Sequence, residues 1–577
     1  MDMKQKIKQL NKKQLQEIVL KMTTSLSKEQ CEKLELLIDA CMGKTEEKIQ
    51  LPERMSQEFV NEKMKLLETW MNQIDEGELY LDVEEYEEYS DSYWDRDWVT
   101  KYYDNQGIGD KLGSMIQFAR DCVYDCKYKE ANLIYEWLWQ MCVITYSEYE
   151  DECDPVDLET LSEHKIIHTD LQQMALLTLY ADYQVQEPQN RAEDIYLYFC
   201  SDTFQKLHIQ DIFGVGREEL DGVEQFWNDW IALLQTKSGD QESRLLQEAV
   251  LYHEGVKGLV KMADQQYKIH PSLYLSAMQE YNKEHDYLQM EAIGEKALGK
   301  IDYRLKIRSK IALMAAYASS CLMHTEKEMQ FCWEAFRSDS TDRNFLRLFG
   351  TKEMAEKYGL RGGEVLRSTE RGDSFGFASN KELERNIISS YRYDILRFYT
   401  GDFEKAKEAS RNPQGSLGWS GSFISIGIRL FLLYLYENPL PSKAAANIAA
   451  YVGFPDEKDL NQQMSFESDI MEESSRLKTS TFWSYFQKWK QYFPMSEQEK
   501  KIYFAWAKKI VYSRADAIVS GQHRRHYGEV AGLLAMAAET EESMGVFGAK
   551  QKTFQEYKKK FPRHSSFQAE MKSYFGM

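Results

Sequence analysis

Residues 110–141 read DKLGSMIQFARDCVYDCKYKEANLIYEWLWQM and carry two apolar stripes with the period of an α-helix. Only a few residues around Cys126 and Lys127 separate the stripes, so the two helices they predict must fold back on each other. The small residues Ala119 and Ala131 lie where such helices would come closest. The stripe positions are Leu112, Ile116, Ala119 and Val123, then Ala131, Ile134, Tyr135 and Leu138.

Similar helical stripes recur along the chain, whereas alternating apolar runs closed by tight turns are scarce. The segment YTGDFEKA, residues 399–406, matches the turn of a tetratricopeptide-like repeat, with Gly401 at the bend. The sequence therefore predicts an all-α protein. The expected architecture is an α-solenoid of stacked antiparallel helix pairs, in one body or two subdomains.

The periodicity divides the chain into five segments. We predict N-terminal helices in 1–74, an acidic aromatic connector in 75–105, and a helical-repeat region in 106–359. A Gly-rich loop or subdomain boundary follows in 360–380, and a second helical-repeat region occupies 381–577. The apolar run 423–436, in which Arg429 is the one charged residue, predicts a helix buried in the core of the C-terminal region.

The formal charge of −21 over 577 residues makes nucleic acid and anionic membrane improbable partners, because the long-range field repels polyanions. Nine cysteines, an odd number scattered through helical contexts, are typical of a reduced cytoplasmic protein. The basic N-terminal residues lead into an amphipathic segment and not into an apolar signal core. We therefore predict a cytoplasmic protein that does not cross a membrane.

The connector interleaves carboxylates with aromatic rings, which suits an acidic aromatic surface that receives a protein or peptide, especially a basic one. The simpler interpretation is a solvated connector whose aromatic rings pack on a neighbouring repeat. Asp91, Asp95 and Asp97 lack the glycine and terminal glutamate of a calcium loop. The candidate partner-binding residues are Tyr86, Tyr89, Asp91, Tyr93, Trp94, Asp95 and Trp98.

A basic cluster of four residues stands out in this acidic chain: His523, Arg524, Arg525 and His526. It is a candidate anion-binding site for a carboxylate or phosphate. The alternative is pairing with the chain's own carboxylates, which their excess favours.

Two further stretches resemble sites without completing them. His164 and His168 lie four residues apart in a predicted helix 162–180, but the H-E-x-x-H pattern of a zinc site is absent, and exposed histidines are the simpler interpretation. The turn NPQGSLGWSGS before the apolar helix could hold an anion, although a packing turn is favoured. We predict no metal and no cofactor.

Three groups of patches resemble the tetratricopeptide-like helical region of bacterial proteins that carry a SWIM-type zinc finger. They are GIGDKL with the following ARDCVYDCKYKEA, NPQGSLGWSGS with LFLLYLYE, and RRHYGEVAGLL with FPRHSSFQAEM. The C-x-C and C-x-H pairs of the finger are missing, so the resemblance implies the helical scaffold alone.

Two functions remain open at this point. The first is a non-enzymatic scaffold or adaptor that binds a protein or peptide through its repeats or its acidic aromatic segment. The second is a hydrolase or nuclease-like enzyme, or a subunit of an effector complex, with a site assembled from distant His, Arg and Asp residues.

Overall fold

The computed structural model describes residues 54–89, 96–147, 153–372, 380–411, 415–419, 422–453 and 475–576. The helices predicted in residues 1–45 lie outside this part, as do the candidate residues Asp91, Tyr93, Trp94 and Asp95. The described residues form 25 α-helices, so the prediction of a mostly helical protein is confirmed. They divide into two compact units, and the division falls near residue 185.

The first unit comprises the described residues up to 185 together with Val215–Glu219. Its helices are α1 (Gln57–Asp75), α2 (Ile108–Tyr124), α3 (Tyr128–Gln140), α4 (Leu158–Glu163) and α5 (Leu171–Val185). Its strands are β1 (Leu81–Tyr89), β2 (Arg96–Tyr103), β3 (Val143–Tyr146) and β4 (Cys153–Val156).

The predicted hairpin of residues 110–141 is present as α2 and α3, which pack against each other. The stripe residues of both helices are buried, and Ala119 and Ala131 have no exposed surface. The hairpin is stable because each helix covers the apolar stripe of the other.

Within the predicted connector 75–105, the described residues form the antiparallel strands β1 and β2 of a four-stranded sheet, whose order is β2-β1-β3-β4. β1 runs antiparallel to β2, with Val83 opposite Tyr102, and parallel to β3, with Leu81 opposite Thr145. Leu81 and Val83 point into the core while Asp82 is half-buried, an alternation that the surrounding carboxylates conceal in the sequence. The all-α prediction therefore holds only in part, since a small sheet is present, and aromatic side chains at strand spacing stabilise the pairing of β1 with β2.

The second unit comprises 186–214 and the described residues from 220 onward. Its first helices are α6 (Arg191–Tyr198), α7 (Asp202–Gln205), α8 (Val223–Thr236), α9 (Asp240–Gln266), α10 (Ser272–Lys283), α11 (Tyr287–Lys300), α12 (Ile307–Cys321), α13 (Thr325–Ser338), α14 (Asp342–Arg347), α15 (Lys352–Lys357) and α16 (Gly362–Ser368). The later helices are α17 (Ser390–Tyr399), α18 (Phe403–Ala409), α19 (Ile424–Leu435), α20 (Lys443–Val452), α21 (Ser475–Lys490), α22 (Glu497–Ser520), α23 (Tyr527–Ser543), α24 (Ala549–Lys560) and α25 (Ser565–Phe575). Two short strands, β5 (Glu370–Arg371) and β6 (Ile387–Ile388), pair in parallel.

Consecutive helices from α8 to α13 pack against one another. Small residues allow the close approach at one of these contacts: a Cβ built on Gly294 of α11 would lie 2.5 Å from the Cβ of Ala315 on α12. The alanine-rich composition of α12 therefore sets the spacing of these two helices.

Four helix pairs are joined by three-residue turns of one geometry. The middle residue of each turn has a positive φ, between 58° and 83°, and the next residue's N–H donates to the carbonyl five positions earlier at 2.8 to 2.9 Å. This is the Schellman arrangement, which satisfies the last carbonyls of the first helix. The middle residues are Cys126, His285, Met323 and Gly401.

The predicted buried helix is α19, and the residues Leu430 to Leu433 have no exposed surface. Around it pack the rings of Phe398, Tyr503 and Trp506. The prediction that residues 423–436 lie at the centre of the C-terminal region is confirmed.

The predicted Gly-rich loop 360–380 is only partly irregular. Residues 362–368 form α16, and Gly362 begins that helix because a side chain there would collide with the ring of Phe345. Gly362 therefore serves close packing with Phe345. Residues 373–379 lie outside the described part.

Candidate anion-binding cavity

A cavity of about 770 Å³ opens in the second unit, between the buried helix α19 and the C-terminal helices. Its charged lining residues are Arg429 of α19, Arg514 of α22, Glu529 of α23 and His526 just before α23. Its other lining residues are Tyr391, Trp419, Ser422, Ser425, Asn447, Ile448, Tyr451, Gly528, Leu533 and Tyr574. This volume lies within the range of about 300–1,000 Å³ that is usual for ligand sites.

Arg429 enters the cavity from the apolar helix α19, and its side chain is only 5% exposed. Its Nη1 donates to the carbonyl of Ser425 at 2.5 Å and to the Ser425 hydroxyl at 2.7 Å. Its Nη2 donates to Oε1 of Glu529 at 3.3 Å, and the guanidinium lies 3.9 Å from the centre of the Tyr451 ring. The burial of a charged group in this helix is tolerated because carbonyl, carboxylate and ring all face the cation.

Arg514 mirrors this arrangement from the opposite wall, and its side chain is also 5% exposed. Its Nη1 donates to the carbonyls of Ser416 and Leu417 at 3.0 and 2.8 Å, while the guanidinium lies 4.6 Å from the centre of the Trp419 ring. Residues 416, 417 and 419 of the turn before α19 thus hold Arg514 in place.

Glu529 lies between the two arginines. Its Oε2 accepts from Nη2 of Arg514 at 3.1 Å and faces Nδ1 of His526 at the same distance. Burial by itself raises the pKa of this carboxyl, but Arg514 and Arg429 outweigh it and hold the pKa of Glu529 below its ordinary value. Glu529 is therefore ionised at neutral pH and bridges both cations.

One carboxylate serves two guanidiniums, so the floor of the cavity carries surplus positive charge. Burial lowers the pKa of Arg429, although a guanidinium remains charged at neutral pH. At the edge, Glu570 approaches Gly528, and the Lys443 ammonium lies 5.4 Å from the centre of the Tyr574 ring. Because the charges of Glu570 and Lys443 are opposite, they do not change the excess positive charge at the floor of the cavity.

The mouth of the cavity is aromatic. Tyr391 is 42% exposed and Tyr451 is 53% exposed, while the hydroxyls of Tyr451 and Ser425 are 3.1 Å apart. Gly532 of α23 lies beneath Tyr574, whose ring would be in ordinary van der Waals contact, at 3.4 Å, with a Cβ at that position. The arrangement can hold an anionic group against the arginines and a flat or apolar group against the tyrosines.

The predicted basic cluster contributes one of its four residues to this cavity. His526 lines it and pairs with Glu529, whereas His523, Arg524 and Arg525 are exposed and do not line it. Of the two interpretations, pairing with the chain's own carboxylates holds for His526.

Three of the candidate partner-binding residues, Tyr86, Tyr89 and Trp98, lie in the described strands β1 and β2. Tyr86 of β1 is 41% exposed and pairs across the ladder with Val99, and Tyr89 and Trp98 are also strand residues. The proposed acidic aromatic surface stays a prediction.

His164 and His168 do not share a helix face. α4 ends at Glu163, and α5 begins only at Leu171, because Asp170 accepts from the backbone N–H groups of Gln172 and Gln173 at the start of that helix. Lys165, with a φ of 60°, turns the chain between them. The predicted continuous helix 162–180 was wrong, and no group of three or more metal-ligating side chains occurs within the described ranges.

Sequence reasoning missed Arg429, Arg514, Glu529 and the two rings that cover the arginines. The one available signal was Arg429 itself, a single charge inside an apolar run, which must find a buried counter-charge. The sequence does not show which carboxylate pairs with Arg429, because Glu529 lies 100 residues away in the chain.

No protein-family model, curated protein or solved structure matches this chain. The resemblance to the helical region of SWIM-type zinc-finger proteins therefore stays a prediction. Within the described residues, no helix combines the length and the apolar character needed to cross a lipid bilayer.

Proposed function

We propose that this chain is a non-enzymatic helical-repeat scaffold or adaptor of the cytoplasm that binds a segment of a protein partner in its C-terminal cavity. The segment would bring a carboxylate next to an aromatic or aliphatic side chain. The proposal rests on one observation: Arg429 and Arg514, each with a side chain 5% exposed, share the single carboxylate of Glu529 at the floor of an open cavity.

The charge balance argues for an anionic ligand. Burying a cation without its own counter-ion costs several kcal/mol, and a second carboxylate in the cavity would offset that cost. Guanidinium groups bind carboxylates through charge-assisted hydrogen bonds, so the arginines at the floor suit a ligand carboxylate.

The mouth of the cavity argues for a peptide. Exposed tyrosines beside a buried charged site are typical of the residues that carry most of the binding energy at protein interfaces. Tyr391 and Tyr451 stand on different helices, α17 and α20, and both line the cavity. The repeated Schellman turns support a repeat scaffold of tetratricopeptide-like helix pairs, a class that presents such surfaces to peptides.

The test is a binding measurement with the full chain and short fluorescent peptides that place Glu beside Phe. We expect saturable binding, and we expect replacement of the peptide Glu by Gln to weaken it by roughly tenfold. Tyr451→Ala should weaken binding as well, because it removes the ring over Arg429.

Phe547→Ala is the matched control, since Phe547 is an aromatic residue 98% exposed and outside the cavity lining. Equal binding of the Glu and Gln peptides, or an equal loss in the Tyr451 and Phe547 variants, would overturn the proposal.

The hydrolase is the second candidate, and one observation favours it. The carboxylate of Glu529 faces Nδ1 of His526 at 3.1 Å, the geometry that orients an imidazole as a general base, with two guanidiniums nearby. Phosphodiester or ester hydrolysis by the full chain, abolished by His526→Ala, would support it; unchanged turnover in that variant would exclude this site.

The acidic hairpin remains the proposed surface for a basic partner. It places Glu84, Glu85 and Tyr86 in solvent on β1.

A further inference from the structure

A second cavity, of about 300 Å³, lies elsewhere in the second unit and is lined by three arginines. Arg304 precedes α12, Arg337 lies in the last turn of α13, and Arg385 precedes β6, so three separate segments supply the guanidiniums. The rest of the lining consists of Tyr303, Val365, Ser368, Thr369, Glu370 and Asn386. None of these residues lines the larger cavity.

One buried residue, Asn386, ties the three segments together. Its backbone N–H donates to the carbonyl of Arg304 at 2.6 Å, and its Nδ2 donates to the carbonyl of Arg337 at 3.1 Å. Arg385 is its chain neighbour and pairs with Leu305 across an isolated antiparallel bridge. The convergence of the arginines is therefore fixed by backbone hydrogen bonds and not by flexible side chains alone.

The carboxylates at this site do not balance the arginines. Asp302 binds Arg304 at 2.5 Å, and Glu370 binds Arg385 at 3.1 Å. Glu334 binds Arg337 at 3.1 Å, but it also binds the buried Arg308 at 2.7 Å. The three lining arginines thus have Asp302, Glu370 and Glu334 as partners, and Glu334 is shared with Arg308, which does not line the pocket.

The partners of the arginines leave donors free for a ligand. Each guanidinium has five N–H groups, and Arg337 and Arg385 each use a single nitrogen in the ion pairs above. Arg337 also lies 5.2 Å from the ring centre of Tyr303, which restricts its motion. A tetrahedral oxyanion fits this arrangement, because its several oxygens can accept hydrogen bonds from more than one guanidinium at the same time.

We propose that this arginine pocket binds a phosphoryl group, as inorganic phosphate or as a small phosphate monoester. The volume is at the lower end for ligand sites and suits a small molecule. The inference goes beyond the peptide-binding function and does not depend on it, since it concerns different residues.

The test is calorimetric titration of the full chain with inorganic phosphate and, separately, with phenyl phosphate. We expect saturable one-site binding of at least one of them. Tighter binding of phenyl phosphate would identify a monoester as the ligand, with its ring near Tyr303, and equal binding would identify phosphate itself. Arg385→Gln and Arg337→Gln should each weaken binding by roughly tenfold.

Arg367→Gln is the matched control, because Arg367 is an exposed arginine on α16 that does not line the pocket. Both Arg385 and Glu370 are about half exposed, so Arg385→Gln should fold, which a thermal melt without ligand checks. Absence of saturable binding at millimolar phosphate and phenyl phosphate would overturn the proposal. An equal loss in the Arg367 and Arg385 variants would also overturn it, since it would show a diffuse charge effect.

Discussion

At the scale of single residues, Glu529 has the largest consequences of any group in the C-terminal cavity. Its carboxylate compensates two guanidiniums that are almost fully buried. Removing one partner of a buried ion pair is costly because the remaining charge stays in a poorly solvated place.

We predict that Glu529→Gln lowers the free energy of unfolding at pH 7 by about 3 kcal/mol or more. The folded-state pKa of Glu529 is depressed, so its contribution is complete above the ordinary carboxyl pKa and is lost as pH falls through the folded value. Urea unfolding between neutral and acidic pH measures both effects.

The variant should therefore lose less stability than the natural chain on acidification. Glu353→Gln is the control, an exposed glutamate whose removal should change stability little. A Glu529 variant with the stability and pH profile of the Glu353 variant would contradict the assigned bridge.

At the scale of secondary structure, the repeated turns explain how one hairpin design recurs with different sequences. The turn residue must adopt a left-handed conformation, which costs an ordinary side chain about 1 kcal/mol and glycine almost nothing. Gly401 meets this requirement, whereas Cys126, His285 and Met323 adopt the same φ at a cost.

We predict that Met323→Gly stabilises the protein by up to about 1 kcal/mol, since Met323 is 86% exposed and its side chain contributes little packing. Gly401→Ala should destabilise it, because φ is +83° and a Cβ would lie 2.7 Å from the Phe493 ring. Chemical denaturation of both variants measures the change in the free energy of unfolding, which should be positive for Met323→Gly and negative for Gly401→Ala. A destabilised Met323→Gly variant would mean that the turn is not limited by backbone strain.

At the scale of the whole molecule, the charge of −21 opposes the local chemistry of both cavities. The long-range field repels an anionic ligand, and only the arginines of each cavity attract it. Salt distinguishes the two effects, because the screening length falls from about 30 Å at 0.01 M to about 8 Å at 0.15 M.

We predict that raising salt over this range speeds the association of the acidic aromatic peptide severalfold, since it screens the repulsion and leaves the buried contacts intact. A basic peptide on the acidic hairpin should respond in the opposite direction. Stopped-flow fluorescence measures the association rate constants. Acidic-peptide binding that weakens steeply with salt would instead locate the ligand on an exposed basic surface.

Much of the helical structure was predictable, because helix periodicity is local information. The stripes of residues 110–141 predicted α2 and α3, and the apolar run 423–436 predicted the buried helix α19. The hairpin β1–β2 was not predicted, because its apolar positions, Leu81 and Val83, are few and stand among carboxylates. Strand pairing depends on partners such as β3, some 60 residues away in the chain, and no local pattern reveals them.

The sequence by itself determined the helical class, the acidic surface and the positions of several helices, since these depend on composition and on neighbours three or four residues apart. Only the tertiary structure decided which charges meet. Arg429 and Glu529 are 100 residues apart, and Arg304 meets Asn386 through a backbone bond between distant segments. These long-range contacts are important because a buried charge without a partner is costly, and the fold alone determines which residue lies close enough to pair with it.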